Sequence, residues 1–134
     1  MNKTYLYALL ILILGCQKPK KYVQLSGEIS NPTSESITVS NNNGYKKTIA
    51  ISSEGSFSDT LKLSEEGRYN FKHGSEYGNI YLKNGNKTFF KLDTEAFDES
   101  LKFNGDDADK SNVLIDFLLL REKYIDQDLS LIHI

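Results

Sequence analysis

The chain has no tryptophan, one methionine, two prolines, two histidines and a single cysteine among its 134 residues. Each scarcity removes a class of chemistry. One cysteine, Cys16, cannot form an intrachain disulfide, a Cys-x-x-Cys redox pair or a thiolate cage for a metal. His73 and His133 stand far apart, neither with a second histidine at metal-ligand spacing. Positive charge is also short. The 16 Lys and Arg against 18 Asp and Glu leave a formal charge of -2, and no basic cluster falls on one element, so nucleic acid is not expected as a partner. Gly-x-Ser-x-Gly, a phosphate-cradling glycine loop and His-Glu-x-x-His are all absent. Carboxylates are plentiful, but none form a pair marked out for general acid and base work. No catalytic residue, metal site or cofactor is expected.

What is present begins at the N-terminus. Lys3 and the apolar run from Tyr5 to Leu14 form the charged and apolar regions of a secretory signal peptide. The run is well short of the roughly 18 residues that span a bilayer as a helix. It ends in Leu12-Ile13-Leu14-Gly15-Cys16, which resembles a lipobox, the signal for bacterial lipoprotein processing. That resemblance implies removal of residues 1–15, a diacylglycerol group on the Cys16 thiol and acylation of the new amine. Residues 16–21 would then be the lipidated cysteine and its tether, making the membrane a partner through Cys16. Lys18, Lys20 and Lys21 could each add about 1 kcal/mol of attraction to anionic headgroups, though a solvated tether is the simpler reading. Basic rather than acidic residues after Cys16 favour an outer-membrane lipoprotein facing the periplasm. A small exported domain without disulfides must find its stability in packing.

From Tyr22 the hydrophobic period becomes two. Val23, Leu25 and Ile29 share one face, with Gln24, Ser26 and Glu28 opposite. Ile37 with Val39, Ile49 with Ile51, and Phe57 with Leu61 and Leu63 continue the alternation. Tyr69 with Phe71, Ile80 with Leu82, Phe90 with Leu92, and Leu101 with Phe103 complete it. Turn chemistry separates these runs: Asn31-Pro32-Thr33-Ser34, Asn43-Gly44, Ser53-Glu54-Gly55, Glu65-Glu66-Gly67 and Asn84-Gly85. The spacing predicts an antiparallel β-sandwich or partly open barrel of about eight short strands over residues 22–105, with a helical turn between Asp93 and Glu99.

Residues 106–128 read differently. Asp106, Asp107 and Asp109 suit a helix N-terminus, with Asp109 as the cap and the helix from about Lys110 to Ile125 or Asp126. Val113, Phe117, Leu120 and Tyr124 fall on one face, yet Leu114, Ile115, Leu118 and Leu119 carry apolar surface almost all the way round. Such a helix expects cover on more than one side. One side would pack on the β-domain, and another would meet an absent domain or a second copy through residues 110–126, from an exposed patch near Leu118 and Leu119.

Three further features invite a site. The run Asp106, Asp107, Asp109 fails the EF-hand pattern, lacking glycine at the sixth position and glutamate at the twelfth, so a solvated helix start is expected. Tyr45, Tyr69, Tyr77, Tyr81 and Phe89 would make a sugar platform only if gathered, and core or cross-strand packing is the expectation. Asp59-Thr60-Leu61 is similar to a short O-glycosylation signal of exported Bacteroidetes proteins, which would modify Thr60; an ordinary outward strand residue is the alternative.

The order of motifs carries a resemblance. Val-Gln-Leu-Ser-Gly-Glu-Ile at 23–29, Glu-Gly-Ser-Phe at 54–57 and Glu-Gly-Arg-Tyr-Asn-Phe at 66–71 lead to Ile-Tyr-Leu-Lys-Asn-Gly at 80–85. Phe-Asn-Gly-Asp at 103–106 then precedes an Asn-Val-Leu-Ile helix. This looks like the N-terminal β-domain that precedes a TlpA-like thioredoxin domain in Bacteroidetes lipoproteins. The resemblance implies a non-catalytic accessory domain of an envelope thiol–disulfide oxidoreductase, whose redox chemistry belongs to the thioredoxin domain. A free-standing envelope binding lipoprotein for a glycan or protein ligand is the alternative, and an interaction module of a larger envelope complex is a third reading. Finally, Leu129-Ser130-Leu131-Ile132-His133-Ile134 is a translation of CTG-TCT-CTT-ATA-CAC-ATC, which resembles a transposon end used in preparing sequencing libraries. Residues 129–134 are therefore read as an adapter artefact, with native sequence to about Asp128 and a thioredoxin-like domain missing beyond it.

Overall fold

The computed structural model describes residues 17–132; the expected signal peptide, Cys16, His133 and Ile134 lie outside the described residues. Eight strands follow one another: β1 (Val23–Ser30), β2 (Ser36–Ser40), β3 (Lys46–Ala50), β4 (Ser56–Leu61), β5 (Gly67–His73), β6 (Glu76–Leu82), β7 (Lys87–Asp93) and β8 (Lys102–Gly105). Between β7 and β8 lie a 3-10 turn (Thr94–Ala96) and a one-turn helix, α1 (Phe97–Ser100); a long helix, α2 (Ala108–Ile132), follows β8.

The strands form two four-stranded sheets that face each other as a sandwich. The first runs β4-β1-β7-β8 and the second β3-β2-β5-β6. Of the residues expected to point inward, Val23, Leu25, Ile29, Ile37, Val39, Ile49, Phe57, Leu61, Leu63, Tyr69, Phe71, Ile80, Leu82, Phe90, Leu92, Leu101 and Phe103 are buried, while Ile51, just past the end of β3, is half-buried against them. Alternation fixes this, because a one-residue slip in register would turn a whole strand's apolar set to water. One pairing departs from the antiparallel expectation. β1 runs parallel to β7, with Gln24 opposite Lys87 and Ser30 opposite Asp93, whereas every other pairing is antiparallel.

Phenylalanine rings fill the centre. Phe71 stacks on Phe90 with centroids 4.8 Å apart, and Phe57 and Phe103 flank Phe90 at 5.1 and 5.4 Å. Two of these rings lie over glycines on the neighbouring strand. Phe57 faces Gly27 across β1–β4 and Phe71 faces Gly78 across β5–β6. A Cβ at Gly27 would stand 2.6 Å from Phe57 Cζ, and one at Gly78 would overlap the Phe71 ring. The absent side chains therefore make the room that the rings occupy.

His73 is fully buried at the end of β5. The Thr33 N–H donates to its Nε2 at 3.0 Å, which leaves Nδ1 to donate to the Ser36 carbonyl at 3.1 Å. The ring thus closes the β1–β2 connection as a neutral tautomer rather than serving as a ligand.

β3 and β4 touch along one side of the sandwich, and α2 closes the other by lying against β6 and β8. Both are edge strands with backbone groups to satisfy. Ser111 and Asn112 do this. Ser111 Oγ accepts from the Tyr81 N–H at 2.9 Å. The Asn112 amide accepts from the Phe103 N–H at 3.0 Å and donates to the Phe103 carbonyl at 3.1 Å, standing in for a missing strand.

The helix differs from its expected outline in three ways. It begins at Ala108, so Asp109 lies in the first turn rather than at the cap. Asp107, with φ 53°, makes the turn instead, its carbonyl accepting from the Lys110 N–H. The expected end at Asp126 is passed, and the helix continues to Ile132. Nor is the exposed patch at Leu118 and Leu119, which are half-buried. Ile115 seats the helix at 7% exposure, while Val113, Phe117, Leu120 and Tyr124 point to water at 63%, 67%, 53% and 61%. Every residue from Leu120 to Leu131 is exposed, so this half of α2 stands clear of the sandwich.

Candidate functional site

A concavity lies on the outer face of the first sheet. It is an open groove of about 530 Å³ lined by Gln24 and Ser26 of β1, Ser58 and Thr60 of β4, and Lys87 and Phe89 of β7, with Gly105 at its end. The parity that sends Leu25, Phe57 and Phe90 inward sends these polar side chains outward. β1 sits between β4 and β7 and so supplies the groove's floor. Beside it, Lys91 lies 5.9 Å from the Phe89 ring centroid and pairs with Glu28 at 3.0 Å. The groove therefore offers hydroxyls, a carboxamide, one ammonium and one aromatic face. Such groups can hold a polar ligand by hydrogen bonds. Thr88 Oγ1, buried beneath the groove, has no hydrogen-bond partner among the described residues.

The residues singled out in the sequence are dispersed. Thr60 is exposed on the edge strand β4, and its N–H bonds to the Asp59 carboxylate, which pairs with Lys47 at 3.3 Å. The aromatic residues are not gathered. Tyr69 is buried and meets Tyr45 edge-on at 5.5 Å; burial is the first cause raising both phenols above their ordinary pKa. Tyr77 lies under Lys72 and Tyr81 under Lys110, while Phe89 faces the groove.

The acidic run serves the turn into α2. Asp106 accepts from the Lys87 N–H at 2.9 Å. Asp107 accepts from Asn86 at 2.7 Å and pairs with Lys110 at 3.1 Å. The Asn86 bond, and then Lys110, hold the Asp107 carboxyl below the usual carboxylate range. Among the described residues, no group of three or more His, Cys, Asp or Glu stands together as metal ligands, and no helix is long and apolar enough to cross a membrane.

A second carboxylate is perturbed the other way. Asp98 of α1 lies beneath α2, where burial first, and then the charges of Glu122, Glu99 and Glu76, raise its pKa. It lines shallow clefts with Leu101 and Ile115. Placed between α1 and the docked side of α2, this group bears on how the helix seats.

No protein-family model matches the chain. No curated protein matches it. Among solved structures, a "putative cell adhesion protein" from Bacteroides ovatus is similar in part, at 11% identity and a TM-score of 0.41. The match covers 66% of this chain and 44% of that one, so this chain corresponds to less than half of that protein's length.

Sequence reading missed the groove and the two edge-capping residues. The outward polar positions of β1 and β4 were visible as alternation, but their meeting beside Phe89 depends on the parallel β1–β7 pairing, which no local signal marks.

Proposed function

We propose that this chain is the non-catalytic N-terminal accessory domain of an envelope lipoprotein of the TlpA-like thiol–disulfide oxidoreductase type, anchored through Cys16 and facing the periplasm. One observation carries the reading. The sandwich has its own buried core and α2 caps its β6 and β8 edges, yet the helix runs on from it with every residue from Leu120 to Asp128 exposed. A helix with no further work on its own domain suits a rod that joins this body to another. Chemistry agrees: the attacking species in thiol–disulfide exchange is a thiolate, and lipidation of Cys16 would leave none. The chain should therefore not reduce insulin. Sequencing the gene beyond the Asp128 codon tests the reading directly. An in-frame thioredoxin domain with Cys-x-x-Cys supports it, and a natural stop codon there overturns it.

The groove favours a second reading, a free-standing envelope binding lipoprotein for a glycan or protein ligand. Its hydroxyls, carboxamide and half-exposed Phe89 are the groups a sugar would use. Titration with oligosaccharides, followed through the Phe89 resonances and compared with Phe89→Ala, tests it. Unchanged resonances across a range of glycans would remove the glycan form of this reading.

A further inference from the structure

The outward face of α2 has an order of its own. Val113, Phe117, Leu120, Tyr124 and Gln127 follow one another by alternate steps of four and three residues. This is the 3.5-residue repeat of a two-stranded coiled coil, with Phe117 and Tyr124 at a positions and Val113, Leu120 and Gln127 at d. Ile115 and Glu122 then fall at f, the outside of such a coil, and Ile115 is the residue seated on the sandwich. A helix laid along the seam would therefore approach α2 from the side opposite the sandwich, and two sandwiches would hang on opposite flanks of the pair.

The flanking charges say what belongs on this seam. Asp116 and Lys123 occupy g positions, and Arg121 and Asp128 occupy e positions. In a parallel, in-register pair, each g residue meets the e residue five places further along the other chain. Asp116 would meet Arg121 of the second copy, and Lys123 would meet Asp128 of the second copy. Both contacts are attractive, and two-fold symmetry makes each occur twice. Residues five apart are not neighbours within one helix, so this charge order has no use inside a single chain. All four side chains are exposed, and none belongs to an ion pair among the described residues. We propose that α2 pairs with α2 of a second copy of this chain, as a parallel in-register coiled coil along Val113, Phe117, Leu120 and Tyr124. The seam needs nothing beyond Asp128, and it does not depend on the identity of any downstream domain.

The single native cysteine makes this testable by oxidative cross-linking. In the full chain carrying Cys16→Ser, purified in mild detergent, Leu120→Cys puts a thiol at the seam and Glu122→Cys puts one on the outside. The seam variant should form disulfide-linked dimer at least about tenfold more readily, because an in-register d position faces its own copy and an f position does not. Equal cross-linking at both positions, or none at Leu120→Cys, overturns the proposal. The charges supply a second measurement, sedimentation of the same Cys16→Ser chain. Asp116→Arg and Arg121→Asp should each weaken dimerisation roughly fivefold or more. Their combination should restore it, since the swapped pair is again complementary between copies. Failure of the double variant to recover overturns the parallel register, as would a monomer at high protein concentration.

Discussion

Asn112 offers the sharpest test of how α2 is held. Its amide makes two hydrogen bonds to the backbone of Phe103, whose own side chain is buried in the core. Asn112→Leu keeps the bulk of the side chain and removes both bonds. Each bond contributes about 1 kcal/mol net, and a buried peptide group left unpaired costs about 1–3 kcal/mol. Asn112 is half-buried, so water would recover part of that, and a loss of about 2–3 kcal/mol is expected. Leucine is the better helix former by a few tenths of a kcal/mol, which makes the measured loss a lower bound on the bonds' contribution. For a domain of this size the change lowers the melting temperature by roughly 8–15 °C.

Thermal unfolding followed by circular dichroism would read that loss. Hydrogen exchange would locate it, with the Phe103 amide losing protection while amides of the central strand β5 keep theirs until global unfolding. Asn112→Asp is the informative companion. It retains the acceptor for the Phe103 N–H but turns a second oxygen toward the Phe103 carbonyl, so it should also destabilise above the carboxylate's pKa. A melting temperature within about 2 °C of wild type for Asn112→Leu, with the Phe103 amide still protected, would show that solvent serves the β8 edge as well as the helix does. The account of α2 as an edge cap would then fail.

Other expectations follow from single features. Asp98→Asn should stabilise the protein at neutral pH. The raised pKa means that folding disfavours the charged carboxyl, so wild-type stability falls as pH rises through the ordinary value of 3.8 to the folded value; below about pH 3 the two proteins should melt alike, and a gap that persists there would assign the effect to packing instead. Gly78→Val should cost about 1–3 kcal/mol in urea unfolding, because the new side chain overlaps the Phe71 ring; a neutral result would mean the sheet opens there without strain. Cys16→Ala should abolish labelling by a radioactive fatty acid and release the protein from membranes, since several acyl chains hold firmly where one holds marginally; equal labelling of both would refute the lipobox reading.

Much of the sandwich could be read in the chain because strand parity is a local property. Phe71 needs only Tyr69 and the polar residues between and beside them to declare which way it faces, and the turns at Asn43-Gly44 and Gly55 declare where each run stops. Sheet order is not local. β1 pairs with β7 across more than sixty residues, in parallel, and no feature of Val23–Ser30 distinguishes that partner from an antiparallel one. The groove inherits this opacity, since Gln24, Ser26, Ser58 and Phe89 become neighbours only after β1 lies between β4 and β7. The same holds for His73, whose ring looks available in sequence and is spent on Thr33 and Ser36 in the fold.

The helix shows where pattern reading misleads in a more instructive way. Amphipathic logic assigns polar residues to water and apolar ones to the core. In α2 the docked side contains Ser111 and Asn112, and the solvent side contains Val113, Phe117, Leu120 and Tyr124. Each inversion has a physical origin. β6 and β8 end the two sheets with unpaired backbone groups, and an apolar residue placed over them would bury those groups unbonded. The docked face therefore needs hydrogen-bonding side chains on the same turns where Ile115 also needs to seat, and it takes both. Nothing in the sandwich asks for the apolar residues opposite, whose burial against a partner would contribute about 1.5–3 kcal/mol for each large side chain fully covered. The docked side follows the sheet edges it must satisfy, whereas the outward side keeps its own 3.5-residue repeat and its own charge order. Two constraints laid on one helix, the second indifferent to the first, account for a segment that in sequence looks apolar nearly all the way round.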